Sequence, residues 1–247
     1  MQSLAGALKA AVLGGLIAGA VVAAFHWFLL EPVIERAIAL EAQLSRERAE
    51  AAKEPPVSRP TQRKGLIVGF LLYGAIWGLL FGMLSYVTQA WQPPSWTPAR
   101  RGLLLALLLG WSVALFPFFK YPANPPGVGE PETIEYRQSL YFGFIALSAA
   151  GCTLAVGLHR LLNRPSRSPF LGRARLPVAL GFYVIYAAAA YGVMPVNPDP
   201  VEMPAQLVWT FRTISLAGLI LFWGALGGAF MWLSRAPAFA LLGRRPL

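Results

Sequence analysis

The sequence predicts an all-α polytopic membrane protein, a bundle of about six transmembrane helices forming a single membrane domain over residues 1–247. Apolar residues make up 56% of the chain and charged residues 13%, whereas a soluble domain carries about 25% charge. Six apolar runs are long enough to cross a hydrocarbon core about 30 Å thick. The run 102–119 shows no alternation of period two, so barrel strands are not indicated.

The predicted spans are residues 8–30, 65–87, 102–119, 139–162, 174–194 and 206–233. The first run is longer than the apolar core of a signal peptide, which spans about 7–15 residues, so it is predicted as a retained helix. Loop 31–64 begins as a continuation of this helix, with apolar residues among charged ones. It is predicted as a solvated helical stalk that ends near Pro55 and Pro56.

Charge separates the two sides of the predicted bundle. Six crossings place the loops alternately on two faces: face A takes the N-terminus, 88–101, 160–175 and the C-terminal tail, and face B takes 31–64, 120–138 and 195–205. Face A holds eleven Lys or Arg and no acid, whereas face B holds nine and all eleven Asp and Glu. This distribution favours insertion with face A and both termini in the cytoplasm. The count of basic residues alone, 11 against 9, does not decide the orientation.

Composition and motifs exclude several classes of protein. The formal charge of +10 does not indicate nucleic-acid binding, because the excess lies at helix ends, where insertion and anionic membrane lipid explain it. The single Cys152 excludes an intrachain disulfide and a cysteine-based metal cluster. No hydrolase, zinc-protease, nucleotide-binding or Cys-x-x-Cys motif occurs. The chain is therefore predicted to be no enzyme, with no catalytic residues, and no ATP-driven pump by itself.

Three polar residues lie at or near membrane depth, where burial of charge is costly. His26 is predicted either to bind a metal or carry protons, or to bond a neighbouring helix. Glu31 precedes Pro32, which disfavours helical geometry at Glu31; the helix is expected to break there and turn the carboxylate inward, or to leave it at the interface. Arg212 lies about 9 Å into the last span and is predicted as a structural counter-charge for Glu31, Asp199 or Glu202, or as a side chain that reaches the headgroups.

Two face-B loops share a short phrase. Pro122-Ala-Asn124-Pro follows span three and Pro195-Val-Asn197-Pro follows span five, and acids come after each: Glu130, Glu132, Asp199 and Glu202. Asn supplies a side-chain carbonyl that can accept a cation. The match is either a trace of an internal repeat or chance in a Pro-rich chain.

Glycines four residues apart predict close helix contacts. The groups are Gly15/Gly19, Gly65/Gly69, Gly74/Gly78/Gly82 and Gly224/Gly228. Packing within the bundle is favoured over packing against another copy of the chain, and the two are compatible, so an oligomer remains an alternative.

Three segments resemble the CbtA family of cobalt transporters. They are residues 120–134 (Lys-Tyr-Pro-Ala-Asn-Pro-Pro-Gly-Val-Gly-Glu-Pro-Glu-Thr-Ile), residues 197–200 (Asn-Pro-Asp-Pro) with Trp209, Thr210, Phe211, Arg212 and Ser215, and residues 26–38 (His-Trp-Phe-Leu-Leu-Glu-Pro-Val-Ile-Glu-Arg-Ala-Ile). The resemblance covers most of the chain. It implies a prokaryotic inner-membrane protein tied to cobalt supply for cobalamin synthesis. It also implies a small companion subunit that consists of a single helix with histidines near its end.

The resulting hypothesis is a permease subunit that admits Co²⁺ from face B, as transported ion rather than as permanently bound cofactor. Glu130, Glu132, Asp199 and Glu202 would attract the ion, and His26, Glu31, Asn124, Asn197 and Asp199 would bind it, with Arg212 as counter-charge. Such N/O ligands do not distinguish cobalt from nickel. The alternative is a non-transporting accessory or scaffold subunit of a larger membrane complex.

Overall fold

The computed structural model describes residues 2–47, 57–163 and 169–235, the last without the side chains of 169–173. Within this part the regular secondary structure is helical. The α-helices are α1 (Leu4–Leu29), α2 (Glu31–Glu47), α3 (Arg59–Thr88), α4 (Pro98–Leu109), α5 (Phe116–Lys120), α6 (Ile134–Leu162), α7 (Pro169–Val193) and α8 (Ala205–Leu233). A π-helical turn, Gly110–Leu115, joins α4 to α5, and 3₁₀ turns cover Gln89–Trp91 and Pro131–Thr133.

Six helical segments are long and apolar enough to cross a membrane, which confirms the predicted fold class. They are Leu4–Leu29, Arg59–Trp91, Pro98–Lys120, Pro131–Leu162, Ala174–Val193 and Ala205–Leu233. The second begins well before the predicted residue 65, because Ser58 is extended and Pro60 lies in the first turn, where proline is favourable. This earlier start moves Arg59 and Arg63 from the predicted loop onto a helix.

The predicted solvated stalk is only partly correct. Its described part, α2, is helical, but its Val33 and Ala37 are buried. Val33 packs with Leu30 and Phe211 in an apolar cluster, so one side of α2 is packed rather than solvated. The predicted end near Pro55 and Pro56 lies outside the described residues.

The chain divides into two compact units. Unit 1 comprises the described residues up to Gly110, Ala123–Gly127 and the described residues from Glu202 onward. Its centre is α1, which packs on both α3 and α8. A Cβ atom at Gly15 would overlap the carbonyl of Gly74, and one at Gly19 would overlap that of Phe70. The small residues therefore let the two backbones approach.

The glycine prediction is confirmed for some groups and not for others. Gly15, Gly19, Gly74, Gly78 and Gly82 lie in the contact between α1 and α3. By contrast, the pairs Gly65/Gly69 and Gly224/Gly228 have no neighbour in the described chain that an added Cβ would meet. The prediction that these two pairs pack within the bundle is therefore wrong for the described part of the chain.

Unit 2 comprises Trp111–Pro122 and the described residues of Val128–Val201. Its helices α6 and α7 pack against each other, and Tyr186 lies in this contact. The ring of Tyr186 fills the space beside Gly151, and its hydroxyl donates to the Leu147 carbonyl at 3.0 Å. Cys152 is half-buried and hydrogen-bonded to Tyr183.

Candidate functional site

At the end of α1, the side-chain carboxylate of Glu31 is buried inside the protein. The hydrogen-bond ladder continues across the joint, since the Leu30 N–H donates to the His26 carbonyl and the Ile34 N–H to the Leu30 carbonyl. Pro32 occupies the first turn of α2, where its missing N–H is tolerated. The break falls at Leu30, one residue before the predicted position, and Glu31 is 2% exposed. The predicted inward turn of Glu31 agrees with this geometry.

Two arginines from the start of α3 reach the Glu31 carboxylate. Arg59 Nη2 donates to Glu31 Oε1 at 2.6 Å, and Arg63 Nε lies 3.5 Å from the same oxygen. Arg63 also lies 3.4 Å from Glu35 Oε1 and 4.8 Å from the centre of the Trp27 ring. We call Glu31, Glu35, Arg59 and Arg63 the Glu31 cluster; its formal charges sum to zero.

Sequence reasoning missed both arginines. The predicted spans leave them in loop 31–64, because charged first turns do not register as apolar runs. Their spacing is the signal that could have found them, since residues four apart share one helix face. Ser58 followed by a proline in the next two positions also indicates a helix start.

His26 lies one turn before the break, in an apolar setting. Its ring contacts Phe70 of α3 edge-on, with centroids 4.8 Å apart, and Nε2 occupies the space left by the missing side chain of Gly218. This nitrogen is buried and has no hydrogen-bond partner among the described residues. The alternative that His26 simply bonds a neighbouring helix through Nε2 is therefore not seen in the described part.

Arg212 binds an amide. Its Nη2 donates to Asn124 Oδ1 at 2.7 Å, which joins α8 to the first Pro-Asn loop. Two of its expected acidic partners are engaged by other arginines, Glu31 by Arg59 and Arg63 and Asp199 by Arg137. Within unit 1, Arg212 thus pairs with Asn124 and not with Glu31, and its pairing with Asp199 or Glu202 stays a prediction.

Unit 2 contains a second buried carboxylate, whose side chain is 2% exposed. Asp199 Oδ2 accepts from the Thr133 hydroxyl at 2.8 Å and from the Glu130 N–H at 3.2 Å. Arg137 Nε lies 2.9 Å away from it. The Asp199 N–H in turn donates to Asn197 Oδ1 at 3.1 Å. We call Asp199, Thr133 and Arg137, with the Glu130 N–H, the Asp199 cluster.

The two loops with the shared phrase are also joined directly. The Tyr121 hydroxyl, just before the first phrase, donates to the carbonyl of Pro195, which opens the second, at 2.6 Å. Burial, and secondarily the nearby Tyr136, raise the pKa of Tyr121 above its ordinary value of 10. The hydroxyl therefore stays protonated and remains a donor.

The predicted ligands fall into both units. His26, Glu31, Asn124, Glu202 and Arg212 belong to unit 1, whereas Asn197, Asp199, Glu130 and Glu132 belong to unit 2. The side chains of Glu130, Glu132 and Glu202 are exposed. Within the described ranges, no three His, Cys, Asp or Glu side chains are grouped so that they could hold a metal ion.

Comparison with known proteins agrees with the membrane fold. Residues 5–235 match the family described as "Probable cobalt transporter subunit (CbtA)". No protein with a curated description matches the chain, and no solved structure matches it. The match covers both units and all six spans. The chain is therefore a multi-pass membrane protein that belongs to the CbtA family of probable cobalt transporter subunits.

Proposed function

We propose that this chain is the permease subunit through which Co²⁺ crosses the prokaryotic inner membrane to supply cobalamin synthesis. Membership of a probable cobalt transporter family across six membrane-spanning helices carries the proposal. Every acid of the sequence lies in the face-B segments, which supports that face as the side from which a cation is admitted. Face A, with the termini, would then be cytoplasmic.

The exposed acids Glu130, Glu132 and Glu202 are proposed to raise the local cation concentration through their field. The path itself is proposed within unit 1. Glu31 receives the ion. Glu35 lies close by, since Arg63 contacts both carboxylates. His26 lies five residues before Glu31, about 7.5 Å along the helix axis. Its buried, unbonded Nε2 supplies an imidazole nitrogen, a common ligand of transition metals. Asn124 Oδ1 accepts from Arg212 Nη2, so its carbonyl oxygen binds the ion in this proposal only once that bond opens.

Asp199 and Asn197 have a different role in this proposal. Their oxygens already accept the hydrogen bonds that hold the face-B loops. A metal-binding role for either residue stays a prediction that requires these bonds to open. We propose instead that the Asp199 cluster holds the loops in place.

A companion subunit would complete the ligand set. The described part of the chain lacks a three-ligand group, and a carboxylate, an imidazole and a carbonyl form a weak site, as conduction requires. Histidines of a small single-helix partner would supply the missing nitrogen ligands. The same thin ligand set favours a second candidate function, that of a non-transporting accessory protein.

Uptake of radioactive cobalt separates the two functions. Cells would express this chain alone, the companion alone, or both, with membrane insertion verified in each case. Uptake that requires both chains is the expected result. Equal uptake with and without this chain would contradict the permease role and favour the accessory one.

A further inference from the structure

We infer that Glu31 exchanges its two arginine partners for the transported cation, so that Arg59 and Arg63 set the affinity of the site. This inference rests on the proposed function and assigns to it residues that the sequence did not indicate. The observation behind it is that both guanidinium groups converge on one carboxylate oxygen, Glu31 Oε1, at 2.6 and 3.5 Å.

Each arginine already has a second acceptor. Arg59 Nη1 donates to Gln62 Oε1 at 2.7 Å, one turn along α3. Arg63 Nη1 lies 3.4 Å from Glu35 Oε1, and its guanidinium stacks on the Trp27 ring. If both guanidinium groups leave Glu31, neither is left without a partner, so the exchange avoids the penalty of an unpaired buried charge.

The arginine side chains of the Glu31 cluster are exposed enough for the exchange to occur without movement of a helix. The Glu31 side chain is 3% exposed, whereas those of Arg59, Arg63 and Glu35 are 30%, 37% and 52% exposed. The arginines therefore form the solvent side of the cluster and cover the carboxylate. Rotation of these long side chains toward water would uncover Glu31 without displacing α1 or α3.

Electrostatic repulsion prevents the cation and the two arginines from contacting Glu31 at the same time. A divalent cation and two guanidinium groups around Glu31 and Glu35 would carry a net charge of +2, and repulsion at a few ångströms is strong in a partly dry site. A cation bound to Glu31 must therefore displace arginine, and the returning arginine must displace the cation. This competition weakens binding, as a site that passes an ion onward requires.

The test is the cobalt dependence of uptake in membrane vesicles that contain this chain and its companion. Arg59→Gln removes one competitor, and we expect it to lower the KM for Co²⁺ about tenfold, which corresponds to about 1.4 kcal/mol. Arg63→Gln should act in the same direction, and Arg59→Lys should stay near wild type. Arg36→Gln is the matched control, because Arg36 is an exposed arginine on the neighbouring α2.

The outcomes separate the inference from the proposed function. Uptake by the wild type with KM unchanged in both Arg59→Gln and Arg63→Gln would overturn the exchange and leave the permease role standing. No uptake by the verified wild-type pair would overturn both. If Arg59→Gln fails to insert, Arg63→Gln decides, and calorimetric titration of the purified wild-type and variant chains with CoCl₂ should show the same tightening.

Discussion

Two buried carboxylates, Glu31 in unit 1 and Asp199 in unit 2, are held in different ways. Among the described residues, Glu31 Oε1 meets arginine side chains, and both arginines have other acceptors within reach. Asp199 Oδ2 meets one arginine, but also a threonine hydroxyl and a backbone N–H. A backbone donor cannot turn to another acceptor without a change in loop conformation. Glu31 is therefore exchangeable, whereas Asp199 is built into its loops.

The kind of hydrogen-bond donor distinguishes a carboxylate that can bind an ion from one that only holds the structure together, and does so better than burial. The two side chains are almost equally buried, at 3% and 2% exposure, so burial alone would rank them together. What separates them is the mobility of the donors: long side chains rotate toward solvent, but a backbone N–H does not.

The largest expected effect on stability is at Glu31. Glu31→Ala removes a charged hydrogen bond and the packing of a buried side chain, and we expect the free energy of unfolding to fall by about 3 kcal/mol, because the partly exposed arginines keep their other acceptors. Glu35→Ala, in the same cluster but 52% exposed, should cost less than about 1 kcal/mol. Denaturant titration of the purified chain in detergent measures both; equal losses would show that Glu31 is not the buried centre of the cluster.

A smaller effect is expected at Asp199. Asp199→Asn keeps the size of the side chain but weakens its bonds to Arg137 and Thr133, at a cost of about 2 kcal/mol. Hydrogen exchange at the Glu130 amide should accelerate, because that N–H donates to Asp199. Combination with Arg137→Gln should cost less than the sum of the single changes. Unchanged protection of the Glu130 amide would disprove the loop-holding role.

The smallest effect is expected at Tyr121. Tyr121→Phe removes only the hydrogen bond to the Pro195 carbonyl, and such a bond contributes about 1 kcal/mol. Tyr136→Phe serves as control, since that residue is exposed. Thermal unfolding followed by tryptophan fluorescence compares the two. A loss no larger than that of the control would mean that the loops do not depend on this bond.

Hydropathy and local stereochemistry predicted much of the fold. Six apolar runs gave six spans, and Pro32 located the break of the first helix to within one residue. Both signals are local, because span length and proline geometry depend only on neighbouring residues. The glycine spacing was less informative: the same pattern gives close contacts at Gly15 and, in the described chain, none at Gly224. Which face of a helix meets another depends on the whole bundle.

The partners of the charged residues could not be predicted in this way. Arg59 is close to Glu31 only because α3 packs along α1, and the bond between Arg212 and Asn124 joins residues 88 positions apart. Opposite charges alone suggested Glu31, Asp199 or Glu202 as the partner of Arg212, because the attraction between charges does not depend on their separation in the sequence. The packing of the helices determines which charged and polar side chains come into contact.

The most direct test of the account is cobalt uptake by Glu31→Gln and Asp199→Asn, measured side by side with the companion present and equal amounts of inserted protein. Glutamine and asparagine keep the shape and remove the charge. We expect Glu31→Gln to abolish uptake and Asp199→Asn to retain the wild-type KM for Co²⁺. Wild-type uptake by Glu31→Gln, with uptake lost in Asp199→Asn, would contradict this expectation.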